Sequence, residues 1–64
     1  MSGVIKWYNA KKGCGVVKTN EQEFFFLRRD IFKPHQHCTY NEVVNFDVIR
    51  DNMGVRAVKI RQVM

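Results

Sequence analysis

Aromatic, cationic and glycine residues are interleaved in three short segments of the first half of the chain. These segments are Lys6-Trp7-Tyr8-Asn9, Lys11-Lys12-Gly13-Cys14-Gly15-Val16-Val17 and Glu23-Phe24-Phe25-Phe26-Leu27. Lysines can hold the phosphates of a nucleic acid while an exposed aromatic ring stacks on a base of any identity. The pattern therefore predicts a surface that binds single strands through charge and stacking.

The charge of the chain agrees with a polyanionic partner. Eleven Lys and Arg against six Asp and Glu give a net charge of +5 and an isoelectric point near 9.6. Residues 1–33 hold seven basic and three acidic side chains, net +4, whereas residues 34–64 hold four and three, net +1. The cationic excess therefore gathers around the aromatic segments, although a charge that only keeps a small domain soluble is the alternative.

The length of the chain limits what it can do. We expect residues 1–64 to form one small domain that buries only about 60% of its unfolded surface, which argues against a deep catalytic cavity and an enzyme. The longest apolar run is residues 24–27, far short of the ~20 residues that cross a bilayer, so no membrane association is expected. A cytosolic protein is expected, in which Cys14 and Cys38 remain free thiols.

Five segments have the period-two alternation of β-strands. Residues 3–9 and 14–19 flank the turn Ala10-Lys11-Lys12-Gly13 and predict a hairpin. The third strand, at about 23–28, places Phe24 and Phe26 on one face and Phe25 and Leu27 on the other. We expect the faces that carry Phe24, Phe26, Phe46 and Ile5 to form the core.

The second half of the chain adds two more strands. Residues 43–50 alternate Val44, Phe46 and Val48 against Asn45 and Asp47, and the turn 51–54 leads to a fifth strand with Val58 and Ile60 opposite Ala57 and Lys59. A closed barrel would bury one side of every strand and hide its edges. The five strands therefore predict an all-β fold, a small barrel.

Residues 28–41 do not follow the strand pattern. Pro34 cannot donate to a strand ladder, and long loops in compact domains are often functional, so we expect the mobile element here, with Phe32, His35 or His37 as a further base contact. His35, His37 and Cys38 also suggest a metal site. Zinc normally takes four ligands in two spaced pairs, and apart from Cys14 the sequence offers no second pair, so neither a metal nor a cofactor is expected.

At this point the sequence resembles a known family. The three segments that opened this section resemble the first three strands of the cold-shock domain with its two RNP motifs, and residues 46–48 and 54–60 are similar to its last two strands. The resemblance implies a five-stranded antiparallel OB-type barrel that binds single-stranded RNA or DNA, often as an RNA chaperone or antiterminator. It also implies a bulge in the first strand that turns Trp7 outward, where strict alternation would place it on the buried face of Ile5.

The resemblance carries a set of binding residues onto this chain. Lys6, Trp7, Lys12 and Phe25 match the binding face, and Tyr8 stands where the family usually has phenylalanine. At four positions where the RNP motifs of the family have stacking groups, this chain has other residues. Arg28 and Arg29 are expected to compensate for part of the lost stacking, by stacking on a base and by contacting phosphate. Binding would then be more salt-sensitive. The predicted nucleic-acid-binding residues are Lys6, Trp7, Tyr8, Lys11, Lys12, Cys14, Val16, Phe25, Leu27, Arg28 and Arg29.

A second hypothesis gives another explanation for the same departures from the RNP motifs of the family. With four stacking groups lost, the former base platform could be an apolar patch of Val16, Phe25 and Leu27 that pairs with another protein or forms a homodimer. Trp7 and Phe25 could also be core residues of a barrel that needs bulk. The cations around the patch have no purpose in a pure interaction surface, and they favour nucleic acid.

Overall fold

The computed structural model describes residues 1–32, 41–52 and 54–63. They form β1 (Ser2–Asn9), β2 (Cys14–Lys18), β3 (Glu23–Leu27), a 3-10 turn (Arg28–Asp30), β4 (Val43–Asp51) and β5 (Gly54–Gln62). The strand positions expected from the alternation are confirmed to within one or two residues for β1 to β4. The expected mobile loop with Pro34, and the candidate contacts His35, His37 and Cys38, lie mostly or wholly outside the described residues.

The five strands close into a barrel in the order β1-β2-β3-β5-β4. All neighbours are antiparallel except β3 and β5, which are parallel and pair through Phe25 opposite Arg56, with a further bridge between Ile31 and Ile60. The OB-type barrel is thus confirmed, with one parallel pairing. This pairing is parallel because the β4–β5 hairpin closes onto β3 through β5, which runs in the same direction as β3. No helix in the described ranges is long and apolar enough to cross a membrane.

The inward faces of the strands fill the barrel. Phe26 and Phe46 are fully buried, and burying a side chain of this size contributes about 1.5–3 kcal/mol. The four core residues expected from the sequence are confirmed. The buried apolar side chains are Ile5, Val17, Phe24, Phe26, Ile31, Val44, Phe46, Ala57 and Ile60.

Two expected alternations are broken by local irregularities. The pairing of β4 with β5 shifts between Asn45 and Asp47, so Val48 is 36% exposed instead of continuing the inward series of Val44 and Phe46. In β5 the buried residues are Ala57 and Ile60, three apart, and Val58 is only half-buried. The cause is Lys59, whose φ of 54° interrupts the extended backbone between them.

Candidate nucleic-acid interface

The outward face of β1 depends on a bulge at Lys6. Ile5 lies opposite Val17 on β2, but the next paired residue is Trp7 opposite Val16, so Lys6 is an extra residue in β1. A bulge of this kind turns the following side chain to the other face. Ile5 is fully buried and Trp7 is 43% exposed, as the sequence analysis expected.

Trp7, Val16 and Phe25 form one row across three strands, which we call the stacking row. Trp7 lies opposite Val16, and Val16 lies opposite Phe25, which is 46% exposed. With neighbouring strands about 4.8 Å apart, the two aromatic residues are separated by about 10 Å of backbone, with the smaller Val16 between them. Two rings on one open face can each take a base.

The next outward row contains no aromatic residue. Asn9 lies opposite Cys14, and Cys14 lies opposite Leu27; Cys14 and Leu27 are both half-buried. This row lies two residues along the strands from the stacking row, or about 7 Å. The face therefore offers stacking groups in one row and a small apolar surface in the other.

Tyr8 belongs to the inner side of the barrel rim. Its ring stacks on Phe26 with a centroid distance of 5.7 Å and an interplanar angle of 7°. The ring passes over Gly15, where a Cβ atom would lie 2.6 Å from Cζ of Phe26. One face of the Tyr8 ring is thus covered by protein, which leaves Tyr8 less surface for a base than Trp7 or Phe25 has.

Arg28 is turned toward the loop between β1 and β2. Its Nε–H donates to the hydroxyl oxygen of Tyr8 at 3.3 Å, its Nη2 group donates to the carbonyl oxygen of Ala10, and its backbone N–H donates to the carbonyl of Gly13 at 2.8 Å. Stacking this guanidinium on a base, as the sequence analysis expected, would require these contacts to break. Its charge nevertheless stays at the edge of the face.

The loop between β1 and β2 carries further cations in a fixed shape. Asn9 accepts from the backbone N–H of Lys12 at its side chain (3.1 Å) and from that of Gly13 at its carbonyl (2.7 Å), and Gly13 takes a φ of 72°. A positive φ of this size suits glycine. An open cleft of about 400 Å³ lies between this loop, the end of β3 and the residues that follow β3. We call it the cationic cleft, and it is lined by Lys11, Lys12, Gly13, Leu27, Arg28 and Arg29.

Glu23 is a site residue that the sequence analysis did not select. Its Oε2 atom lies 2.8 Å from Nζ of Lys6, and both side chains are about half exposed. The hydrogen bond from Lys6 lowers the pKa of Glu23 below its usual 4.5. Desolvation opposes this shift, and the charges of Lys6 and Lys18 add to it. The Lys6–Glu23 pair joins β1 to β3 across β2, and it depends on the bulge at Lys6. The order of the strands was therefore the only feature of the sequence that pointed to this pair.

A second, wider groove lies at the opposite end of the stacking row. It has a volume of about 1060 Å³, and its lining includes Lys6, Trp7, Lys18 and the turn at 19–22. Lys6 and Lys18 bring positive charge to this groove, and Glu21 brings one negative charge. The stacking row therefore has the cationic cleft toward one end of β2 and a groove of mixed charge toward the other. A short strand could follow this path with its bases on the aromatic rings and its phosphates near the cations.

The arrangement suits binding by stacking and charge. Within residues 1–32, 41–52 and 54–63, no three His, Cys, Asp or Glu side chains are grouped to hold a metal ion. The exposed groups of the face are two aromatic rings, apolar aliphatic surface, lysine or arginine side chains and the carboxylate of Glu23. Neither the comparison with protein-family models nor the search of curated proteins found a match for this chain.

Proposed function

We propose that this protein binds single-stranded RNA or DNA with little dependence on sequence, by stacking bases on Trp7 and Phe25 and holding phosphates with the surrounding cations. The observation that carries the proposal is the stacking row, with two half-exposed aromatic side chains in register on one sheet face. Aromatic side chains of this size are usually buried, so two of them side by side on an open face support a ligand-binding role.

The cold-shock resemblance supports the same function and narrows it. We infer a cytoplasmic cold-shock-like domain with altered RNP motifs, of the RNA chaperone or antiterminator type, that acts by binding alone. Each stacked base is worth about 1–3 kcal/mol, so two rings in place of a larger set favour weak, reversible and salt-dependent binding. That behaviour suits a protein that melts or covers RNA transiently.

Fluorescence of Trp7 tests the proposal directly, since it is the single tryptophan of the chain. Titration with single strands of about 4–16 nucleotides should quench Trp7, and quenching should weaken steeply as salt rises. Phe25→Ala should weaken binding by about 5- to 150-fold, the equivalent of one lost stack. Val63→Ala, which truncates an exposed apolar side chain after the end of β5, is the control. Unchanged fluorescence and no mobility shift at low salt would refute the proposal.

Self-association is the second candidate, because Val16, Phe25 and Leu27 share the outward face as a continuous apolar surface. A homodimer through this surface would bury the same residues that the nucleic acid would contact. Sedimentation across micromolar concentrations separates the two candidates. A dimer that becomes a monomer in Leu27→Glu would support self-association, and a monomer at all concentrations would count against it.

A further inference from the structure

The cationic cleft has an unusual lining for so small a protein. Four of its six lining residues, Lys11, Lys12, Arg28 and Arg29, carry a positive charge, and none carries a negative one. Asp30 follows Arg29 directly, but its carboxylate is buried and accepts from the backbone N–H of Leu27 at 2.8 Å. The cations of the cleft therefore have no acidic partner in its lining.

The cleft is fixed before any ligand arrives. Asn9 holds the backbone of Lys12 and Gly13, and Gly13 accepts from the backbone of Arg28, so the loop and the end of β3 are tied together. Two of the five N–H groups of the Arg28 guanidinium bind Tyr8 and Ala10, which leaves three for a ligand among the described residues. Four like charges that line one cleft repel one another, and a bound anion relieves that repulsion.

The position of the cleft identifies the anion. Leu27 and Arg28 lie two and three residues along the chain from Phe25, or about 7–10 Å, within reach of a strand stacked on Phe25. Arginine binds phosphate oxygens in a planar fork, and lysine adds point charges. We propose that the cationic cleft binds one phosphate group of a strand whose bases occupy the stacking row, an inference that rests on the proposed function.

Pyrophosphate tests the cleft without any base. Titration at constant ionic strength, with chloride as the reference, should shift the amide resonances of residues 11–13 and 27–29 in a saturable way. Lys12→Gln and Arg29→Gln should each weaken this binding at least about fivefold, whereas Arg50→Gln, which removes the same charge from an exposed position of β4, should not. Shifts no larger than those from chloride, or an equal loss in Arg50→Gln, would overturn the proposal.

Oligonucleotides then distinguish an end phosphate from one within the strand. If the cleft takes an end group, a 5′- or 3′-phosphate should tighten binding about tenfold, and Lys12→Gln should remove that gain while Arg50→Gln keeps it. If the cleft takes an internal phosphate, one neutral methylphosphonate linkage should weaken wild type and leave Arg29→Gln unchanged. The absence of both patterns would overturn the cleft as a phosphate site on the strand.

The two proposals fail in different ways. Local pyrophosphate binding with no quenching of Trp7 by any single strand would refute the proposed function while the cleft still binds phosphate. Quenching of Trp7 that is unaffected by Lys12→Gln and Arg29→Gln at every salt concentration would retain the proposed function and overturn the phosphate cleft.

Discussion

The ammonium of Lys6 binds the carboxylate of Glu23, and Lys6 lines the same groove as Trp7. The contact with Glu23 is exposed on both sides, and exposed pairs contribute little to stability. A phosphate can therefore take the place of the carboxylate. Glu23 remains a negative charge next to the stacking row, however, and it opposes every phosphate that approaches Lys6.

Glu23→Gln should therefore tighten the binding of single strands. Removal of the carboxylate frees Lys6 and ends the repulsion, so we expect Kd to fall by about 2- to 5-fold at low salt and the gain to shrink as salt screens it. Trp7 quenching measures Kd. Asp47→Asn removes an equal charge from an exposed position of β4 and serves as the control. Equal affinities in wild type and Glu23→Gln would contradict a role for Lys6 in phosphate contact.

The same pair makes a prediction about pH. The pKa of Glu23 is lowered in the folded protein, so its contribution to stability is present above the usual value of 4.5 and is lost as pH falls through the lowered pKa. Urea unfolding at a series of pH values should show a difference between wild type and Glu23→Gln above pH 4.5 that shrinks toward more acidic pH. A difference that stays constant across this range would show that the pair does not act through ionisation.

At the scale of elements, the hairpin of β1 and β2 positions the stacking row through one glycine. Gly15 lies beneath the stacked rings of Tyr8 and Phe26, and a Cβ atom there would lie 2.5 Å from the backbone oxygen of Trp7. The backbone of Trp7 cannot move without disturbing the bulge. Gly15 thus connects the packing of the core with the orientation of the tryptophan.

Gly15→Ala should destabilise the protein by about 1–3 kcal/mol, as overpacking of a tight core does. Gly54→Ala separates this steric effect from backbone strain, because its Cβ would meet nothing within 4 Å while its φ of 114° is unfavourable for alanine. Urea unfolding gives both values. If Gly15→Ala unfolds at the same urea concentration as wild type, the close contact is relieved by small shifts, and the glycine is not required.

The strands could be predicted from the sequence, but the side-chain contacts between them could not. Alternation placed Phe25 and Phe26 on opposite faces, and the resemblance assigned Phe25 to the binding face and supplied the bulge that exposes Trp7. The partners of Arg28 and Glu23 were not predictable, because each forms across strands whose register depends on where the bulge lies. The alternation of β5 failed at Lys59 for a similar reason, since nothing in its type announces a positive φ.

At the scale of the whole molecule, the barrel closes at its weakest pairing. β3 and β5 share one bridge, Phe25 opposite Arg56, and Arg56 also links the 3-10 turn to the β4–β5 turn. Its Nε lies 2.9 Å from Asp30 and its Nη1 lies 2.6 Å from Asp51. The Nε contact lacks hydrogen-bond geometry, so the attraction to Asp30 is mainly coulombic. Because Arg56 lies opposite Phe25, this ion pair adjoins the Phe25 end of the stacking row.

Asp30→Ala should therefore be the most damaging of these substitutions. The Asp30 and Arg56 side chains are 5% and 16% exposed, and removal of one partner from a buried pair costs about 3–5 kcal/mol. A domain of 64 residues has roughly 3–10 kcal/mol in total, so we expect much of the variant to be unfolded at 25 °C. Circular dichroism during urea unfolding measures the loss, with the exposed Asp47→Asn as control.

The double variant decides whether the pair itself is responsible. Asp30→Ala would leave the Nε side of the Arg56 guanidinium without its carboxylate, although Nη1 keeps Asp51. Arg56→Met removes that guanidinium, so the two changes together should cost less than the sum of the single changes. Saturating oligonucleotide should also restore part of the lost stability, because the ligand binds only the folded barrel. Strictly additive effects, or a loss below about 0.5 kcal/mol in Asp30→Ala, would show that the apolar core alone closes the seam between β3 and β5.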